Sequence, residues 1–324
     1  MNALIKWGIL GCGNVTERKS GPAYQKTEGF ALQAVMRRDG SKAANYAKRH
    51  SVPRYYDNAD DLINDTEVDA VYIATPPDSH TYYALRVAQA GKPCCIEKPM
   101  APTYAECKEI CDAFEAKKLP LFVAYYRRSL PRFQKVKEWL DKGLIGEPRY
   151  IRWVLTKAPS PVDISGVYNW RTDAKIAKGG YFDDLASHAI DLFIHLLGPV
   201  TTANGVVANQ QGLYTAYDAV SGSWLHKNGV VGSAVCNFGS DSRQDCVEIQ
   251  GSKGIIKFSV FDEKPVQLIS PDNKESVSIE NPENIQLYHV RSMWEHLLGN
   301  TNHPSTGATA AHTTWVLDNI LGTL

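Results

Sequence analysis

No apolar run in this 324-residue chain reaches the length of a membrane-spanning helix. Excess charge is missing as well: lysine plus arginine number 35, aspartate plus glutamate 35, and the net charge is zero. Such a chain has no basic field to draw it to nucleic acid or to an anionic membrane, so neither partner is expected. Residues 1–15 lack the basic n-region, apolar h-region and cleavage site of a secretory leader. The seven cysteines are an odd set. Together these lead to the expectation of reduced thiols in a cytoplasmic protein. Metal-ligand spacing is also absent. Cys107 and Cys111 share a helical face and Cys94-Cys95 lie in an apolar run, neither pair with zinc-type partners. Both pairs read as core filling, and no metal is expected. There is no internal repeat and no low-complexity tract.

What is present begins at Leu4. The apolar run Leu4 to Leu10 ends in Gly11-Cys12-Gly13-Asn14-Val15. A buried strand feeding a glycine turn and a helix start is a pyrophosphate cradle, because glycine permits the turn and the helix N–H groups face the anion. Only two of the three glycines of the full dinucleotide fingerprint occur, since the third falls on Thr16. Alone, the motif also fits an ordinary turn.

Length predicts two domains. The first third alternates strands (4–10, 31–37, 70–74, 93–96, 120–124) with helices (40–50, 79–90, 103–117) and a blurred helix over 14–26 interrupted by Gly21-Pro22. Short apolar runs separated by helical patterns imply a parallel sheet covered on both faces. After residue 124 a helix at 133–140 precedes strand-like stretches at 148–157, 200–209, 217–226, 229–238, 244–250 and 254–260. Lys227-Asn228-Gly229 is a hairpin turn between two of them. Helices are predicted over 180–197, 284–299 and 306–323. The expected fold is α/β, an N-terminal doubly wound Rossmann sheet followed by an α+β domain on a large, open, mostly antiparallel sheet. The expected boundaries are 1–124 for the nucleotide domain, 125–303 for the substrate and oligomerisation domain, and 304–324 for a closing helix.

Four further stretches carry chemistry. At the end of the second strand, Arg37 and Arg38 stand where an NAD-binding domain places an acid for the ribose 2′-hydroxyl. Charge-assisted bonds of about 1.5–3 kcal/mol favour a 2′-phosphate, so NADP is the expected cofactor. In the rival reading Asp39 takes the ribose, the arginines are surface charges and NAD binds. Thr75 and Pro76 open a proline-stiffened loop at a strand's carboxyl end, where open sheets bind ligands. His80 either touches the ligand or belongs to the following helix's first turn. Glu97-Lys98-Pro99 ends another strand: Glu97 is expected beside the cofactor, and Lys98 is suited to stabilise negative charge on a substrate oxygen. The Lys98–Pro99 bond is expected cis. Finally, Asp184 and His188 are four apart on one helix face, with Asp191 near it. A carboxylate orienting an imidazole is a general acid/base unit. A satisfied polar face at a domain junction is the alternative, and His195 reads as structural or exposed.

The order of these elements resembles the glucose–fructose oxidoreductase/inositol dehydrogenase/MocA family. The matching residues are Gly11–Val15, Thr75 to His80, Glu97-Lys98-Pro99, Arg127-Arg128, Trp170-Arg171, Gly179-Gly180 and Asp184, His188 and Asp191. The resemblance implies an NAD(P)-dependent dehydrogenase or reductase acting on a small sugar, polyol or cyclitol. It implies that Lys98 contacts the reacting hydroxyl, that His188 moves the proton within an Asp184–His188 dyad, and that Arg127, Trp170 and Arg171 line the substrate cleft. It also implies a dimer or tetramer formed through the C-terminal sheet. Ala186 stands where many members have glycine, and Arg37 replaces the common acid. A repressor-type ligand sensor and an enzyme of carbon–nitrogen chemistry are the alternatives on the same fold.

Overall fold

A computed structural model describes residues 4–324. The chain divides into two compact units, Met1–Leu130 with Pro282–Ala311, and Pro131–Asn281 with His312–Leu324.

The first unit is built on six parallel strands: β1 Ile5–Leu10, β2 Phe30–Met36, β3 Arg54–Tyr56, β4 Ala70–Ile73, β5 Cys94–Ile96 and β6 Leu121–Val123. Their spatial order is β3-β2-β1-β4-β5-β6, the doubly wound order. The helices between them are α1 Asn14–Arg18, α2 Gly21–Gln25, α3 Gly40–Arg49, α4 Ala59–Ile63, α5 His80–Gln89 and α6 Tyr104–Ala116. Strand side chains alternate between the faces, so the sheet divides two cores. Trp7, Ile9, Val35 and Tyr72 enter one. Leu10, Ile73 and Ile96 enter the other, with Val87, Ile110 and Phe114 of α5 and α6. Local signals set the helix starts: Asp39 accepts from Lys42 N (3.2 Å) and Thr103 from Glu106 N (3.2 Å). The blurred 14–26 segment is two short helices that break at Lys19-Ser20, because Pro22 sits in the first turn of α2.

The expected boundaries at 124/125 and 303/304 do not coincide with the edges of these units. The stretch 282–311 belongs to the first unit. Its helix Leu287–Leu297 turns Val290, Met293 and Trp294 into the Trp7 core. Trp294 meets Phe30 edge-on at 5.6 Å. Polar ties reinforce the docking: Asn284 Nδ2 donates to Arg18 O (2.7 Å) and Gln286 N to Lys19 O (3.3 Å). An amphipathic helix shows that it has an apolar face, not which sheet will cover it.

The second unit contains α7 Pro131–Asp141, α8 Pro161–Ser165 and α9 Tyr181–Leu197. Its strands are β7 Pro148–Thr156, β8 Val200–Ala208, β9 Ala219–His226, β10 Val231–Asn237, β11 Gln244–Gly251, β12 Ile255–Phe258, β13 Val266–Ile269 and β14 Lys274–Val277. They form one sheet in the order β14-β13-β12-β11-β7-β10-β9-β8, antiparallel except for the β10–β7 pair. Buried and exposed residues alternate along β9 and β10, so one face is covered and one is open. On the covered face, Phe193 of α9 meets Trp153 at 5.9 Å and stacks with Trp224 at 6.1 Å.

The first unit also buries a pair of neighbouring histidines. His289 and His303 are 1% and 3% exposed, with rings 4.7 Å apart, and Phe122 lies 5.0 Å from His303. Burial holds His289 well below the usual histidine range and His303 at about 4, with Arg128 and His296 adding repulsion at His303. An unfolded histidine takes its proton near pH 6.5. Between about pH 6.5 and 4 the unfolded chain therefore binds more protons, and stability falls as pH falls. For His303 the loss is about 3 kcal/mol. Thermal unfolding followed from pH 7 to pH 4 should show a falling midpoint, and His303→Gln should flatten that fall. Equal slopes in both proteins would contradict the assignment.

Candidate active site

Five strands of the first unit end in one row. Met36, Leu10, Ile73, Ile96 and Val123 are register partners across β2, β1, β4, β5 and β6. The next residue of each strand continues the ladder: Gly11 N donates to Met36 O (2.9 Å), Ala74 N to Leu10 O (2.8 Å), Glu97 N to Ile73 O (2.8 Å) and Ala124 N to Ile96 O (2.9 Å). Gly11, Arg37, Thr75, Glu97 and Lys98, read from separate motifs, thus lie at or just beyond one sheet edge. The strand order reverses between β1 and β4, where open sheets bind dinucleotides.

Gly11 has φ +87°, and a Cβ there would lie 2.8 Å from Thr75 Cγ2. Only glycine permits that turn against the Thr75 loop. Gly13 begins the turn into α1, with Asn14 and Val15 as its first residues. Thr16, in place of the third glycine, is fully buried and donates its hydroxyl to Gly13 O (2.8 Å). The close approach falls on Gly21 instead, where a Cβ would lie 2.3 Å from Thr16 O.

Arg37 directs Nη1 toward Cys12 O (3.4 Å) and lines a cavity of about 320 Å³ with Ser41, Lys42 and Arg49. Arg38 is exposed and does not line it. The one acid of the lining, Glu17, accepts from Arg49 at 2.6 and 2.8 Å, and that contact pulls its pKa down to about 2. Asp39 is occupied as the α3 cap, accepting also from Ser41 Oγ (2.6 Å) and pairing with Lys42 Nζ (3.0 Å).

His80 and Glu97, both expected at the ligand, also make contacts within the unit. His80 is fully buried as the first residue of α5, with Nδ1 3.0 Å from Pro99 O and Nε2 2.8 Å from Thr75 O. Burial lowers its pKa. It props the Thr75–Pro76 loop and the Pro99 loop from beneath. Glu97 is 8% exposed and its carboxylate faces inward, accepting from Tyr72 Oη (2.6 Å), Gln286 Nε2 (2.7 Å) and Lys98 N (3.1 Å). Buried acids need such partners. Lys98 follows, half-buried, and its bond to Pro99 is cis. Arg127 is buried with Nη1 2.9 Å from Tyr126 Oη, and Arg128 donates to Pro304 O (2.8 Å).

In the second unit α9 carries the other group. Gly180 enters the helix at φ +62°, and a Cβ there would lie 2.9 Å from Tyr217 O. Asp184 pairs with Arg171 Nε at 3.2 Å, and the Arg171 guanidinium lies 4.3 Å over the Trp170 ring. His188, one turn further, is 5% exposed and meets Phe261 edge-on at 6.1 Å. Asp191 accepts from Thr313 Oγ1 (3.3 Å), a structural tie to helix Gly307–Leu321. Among the described residues no cluster of three His, Cys, Asp or Glu is placed to hold a metal, and no helix is long and apolar enough to cross a membrane.

Comparison with known proteins agrees with this arrangement. Residues 5–125 match the Gfo/Idh/MocA oxidoreductase family with its NAD-binding Rossmann fold, and residues 133–257 match its C-terminal domain. An oxidoreductase of Formosa agariphila is 38% identical over 325 residues, covering 100% of both chains. This chain belongs to the Gfo/Idh/MocA family. A 1,5-anhydro-D-fructose reductase of Ensifer adhaerens is 24% identical, covering 84% of this chain and 81% of its own. In structure, a levoglucosan dehydrogenase bound to NADH and levoglucosan superposes with a TM-score of 0.86 at 22% identity, covering 98% of this chain and 96% of its own.

This Gfo/Idh/MocA oxidoreductase also holds a side chain that the motifs do not reveal. Lys157, just past β7, places Nζ 3.4 Å from the centre of the Tyr181 ring. Burial lowers its pKa against the attraction of Asp163 and Asp184. A lone lysine after a strand gives no sequence signal; its neighbours are made by the fold. For Glu97, replacement by alanine leaves Tyr72 Oη, the Gln286 amide and Lys98 N–H without their acceptor. Stability should drop by about 3–5 kcal/mol, read as a lower urea midpoint. A midpoint unchanged from wild type would show that the carboxylate does not anchor the loop.

Proposed function

We propose that this oxidoreductase uses NADP, with NAD as the lesser alternative, and acts on the hydroxyl- or carbonyl-bearing carbon of a sugar, polyol or cyclitol. The observation that carries the cofactor choice is the Arg37–Lys42–Arg49 cavity beside a capped Asp39. A 2′-phosphate suits a lining in which three cations face one carboxylate, Glu17, whereas a ribose diol needs the carboxylate that Asp39 has already engaged. Gly11, Gly13, Asn14, Val15, Thr75 and Pro76 fit the dinucleotide's backbone, since Gly11 permits the tight turn and a Cβ at Gly13 would meet nothing nearer than Gly11 O at 3.8 Å, space that a side chain would fill. Nicotinamide, when bound, supplies hydride chemistry.

The protein's own residues handle the proton and the charge. His188 accepts the hydroxyl proton in oxidation and returns it in reduction. Asp184, held by Arg171, orients the imidazole and favours its charged form. Lys98 stabilises the developing alkoxide. Arg127, Trp170 and Arg171 are the proposed substrate contacts. The open face of the second unit's sheet exposes Tyr150, Val206, Leu225, Val231 and Val235, which supports assembly of copies through that face. The names of the relatives, a levoglucosan dehydrogenase and an anhydrofructose reductase, favour a carbohydrate-derived substrate.

The test is nicotinamide absorbance in single turnover with aldoses, cyclitols and dihydrodiols. His188→Ala should retain NADP binding while turnover falls by about 10²–10⁴; an unimpaired variant would remove His188 from the mechanism. Arg37→Asp should lower the NADP-to-NAD affinity ratio by about ten- to a hundredfold. An unchanged ratio would place the phosphate away from Arg37.

A further inference from the structure

The second unit holds a cavity of about 340 Å³ that the proposed chemistry does not use. Its polar lining comes from Asp163, Asn169, Asp173, Lys175 and Thr215, and its apolar lining from Tyr168, 71% exposed, with Val167 and Leu213. Tyr214 also lines it, and its buried Oη has no hydrogen-bond partner in the protein. Two carboxylates against one ammonium disfavour an anion. Apolar and aromatic surface beside several hydroxyl and amide groups suits a neutral ring with C–H faces and many hydroxyls. The volume lies at the lower end of ligand pockets, roughly 300–1,000 Å³, which fits one ring.

The cavity wall is joined to the helix of the candidate base. Tyr181 Oη donates to Asp163 Oδ1 (2.7 Å) and accepts from Asn169 Nδ2 (3.3 Å). Tyr181, Asp184 and His188 fall at i, i+3 and i+7 of α9, one stripe of the helix. At 1.5 Å per residue, Tyr181 and His188 are about 10 Å apart along the axis. Asn169 and Thr172 of the wall flank Trp170-Arg171, and Arg171 is the residue that holds Asp184.

We infer that this cavity is a second sugar subsite, taking a neutral, polyhydroxylated ring linked to the one that reacts, so that the substrate is at least a disaccharide. This rests on the reading of Asp184 and His188 as groups that act on a sugar. Saturation-transfer NMR tests it with cellobiose, maltose, lactose and mannobiose beside glucose, galactose and mannose. The expected result is transfer to both rings of a disaccharide. Leu213→Trp, which puts an indole into the cavity from an exposed position, should confine transfer to one ring and weaken binding at least tenfold. Circular dichroism should confirm that the variant is folded. Transfer to one ring only in the wild type, or spectra identical in wild type and Leu213→Trp, silence included, overturns the subsite. A disaccharide held through both rings yet never oxidised or reduced supports the cavity as a sugar site and overturns the sugar-oxidoreductase reading instead. Turnover of a monosaccharide with no disaccharide bound does the reverse.

Discussion

Met36, Leu10, Ile73, Ile96 and Val123 stand side by side because five parallel strands are paired in one register and end together. Neighbouring strands are about 4.8 Å apart, so this register brings residues 11, 37, 75 and 97–98 to one edge across a sequence span of nearly ninety positions. A slip of one residue in any strand would turn its core side chains toward the opposite face and retract its loop from the edge. The core residues on both faces, Trp7 and Tyr72 on one, Leu10 and Ile96 on the other, oppose such a slip. What the first unit offers a ligand is therefore decided by hydrophobic burial, before any polar group takes part.

Polar residues then stiffen the loops from below. His80 bridges two loops through Thr75 O and Pro99 O, and Glu97 gathers Tyr72, Gln286 and the Lys98 amide. Both belong to motifs whose appearance suggests ligand contact, and both are directed into the protein. A motif of mixed polar residues at a strand end records two tasks, facing the ligand and holding the loop that faces it. In Glu97-Lys98, adjacent residues divide these tasks, the buried acid holding the loop and the half-buried lysine standing at its surface.

The sheet domain was legible because its strands are short apolar runs and its helices carry their own caps, as Thr103 and Asp39 show. The elements that went unread share a physical cause. Arg54–Tyr56 is an edge strand with two exposed residues, and Ala59–Ile63 is a single turn and a half, so neither leaves a periodic apolar signal. The sheet face covered by Leu287–Leu297 was illegible because that packing is a pairing of residues more than 250 positions apart. At the candidate site the chemical types were readable, and so was the Asp184–His188 spacing. Arg171 against Asp184 and Lys157 over Tyr181 were not, since only tertiary structure makes those neighbours.

Helix α9 shows why a site can be partly legible. Its covered side is read at once from Ile190, Leu192, Phe193 and Leu196, which are buried. The same helical period that buries them aligns Tyr181, Asp184 and His188 on a stripe, so the apolar pattern fixes the direction of the polar one. The start of the stripe is fixed by Gly180, whose positive φ turns the chain into the helix where a side chain would meet Tyr217 O. The remaining freedom is that of the loop Ser160–Thr172, which contributes Arg171 at one point and Asp163 at another. In the proposed mechanism the helix thus carries the acid and the base at a fixed spacing, while the facing segment 160–172 touches the helix through Arg171 at Asp184 and through Asp163 at Tyr181.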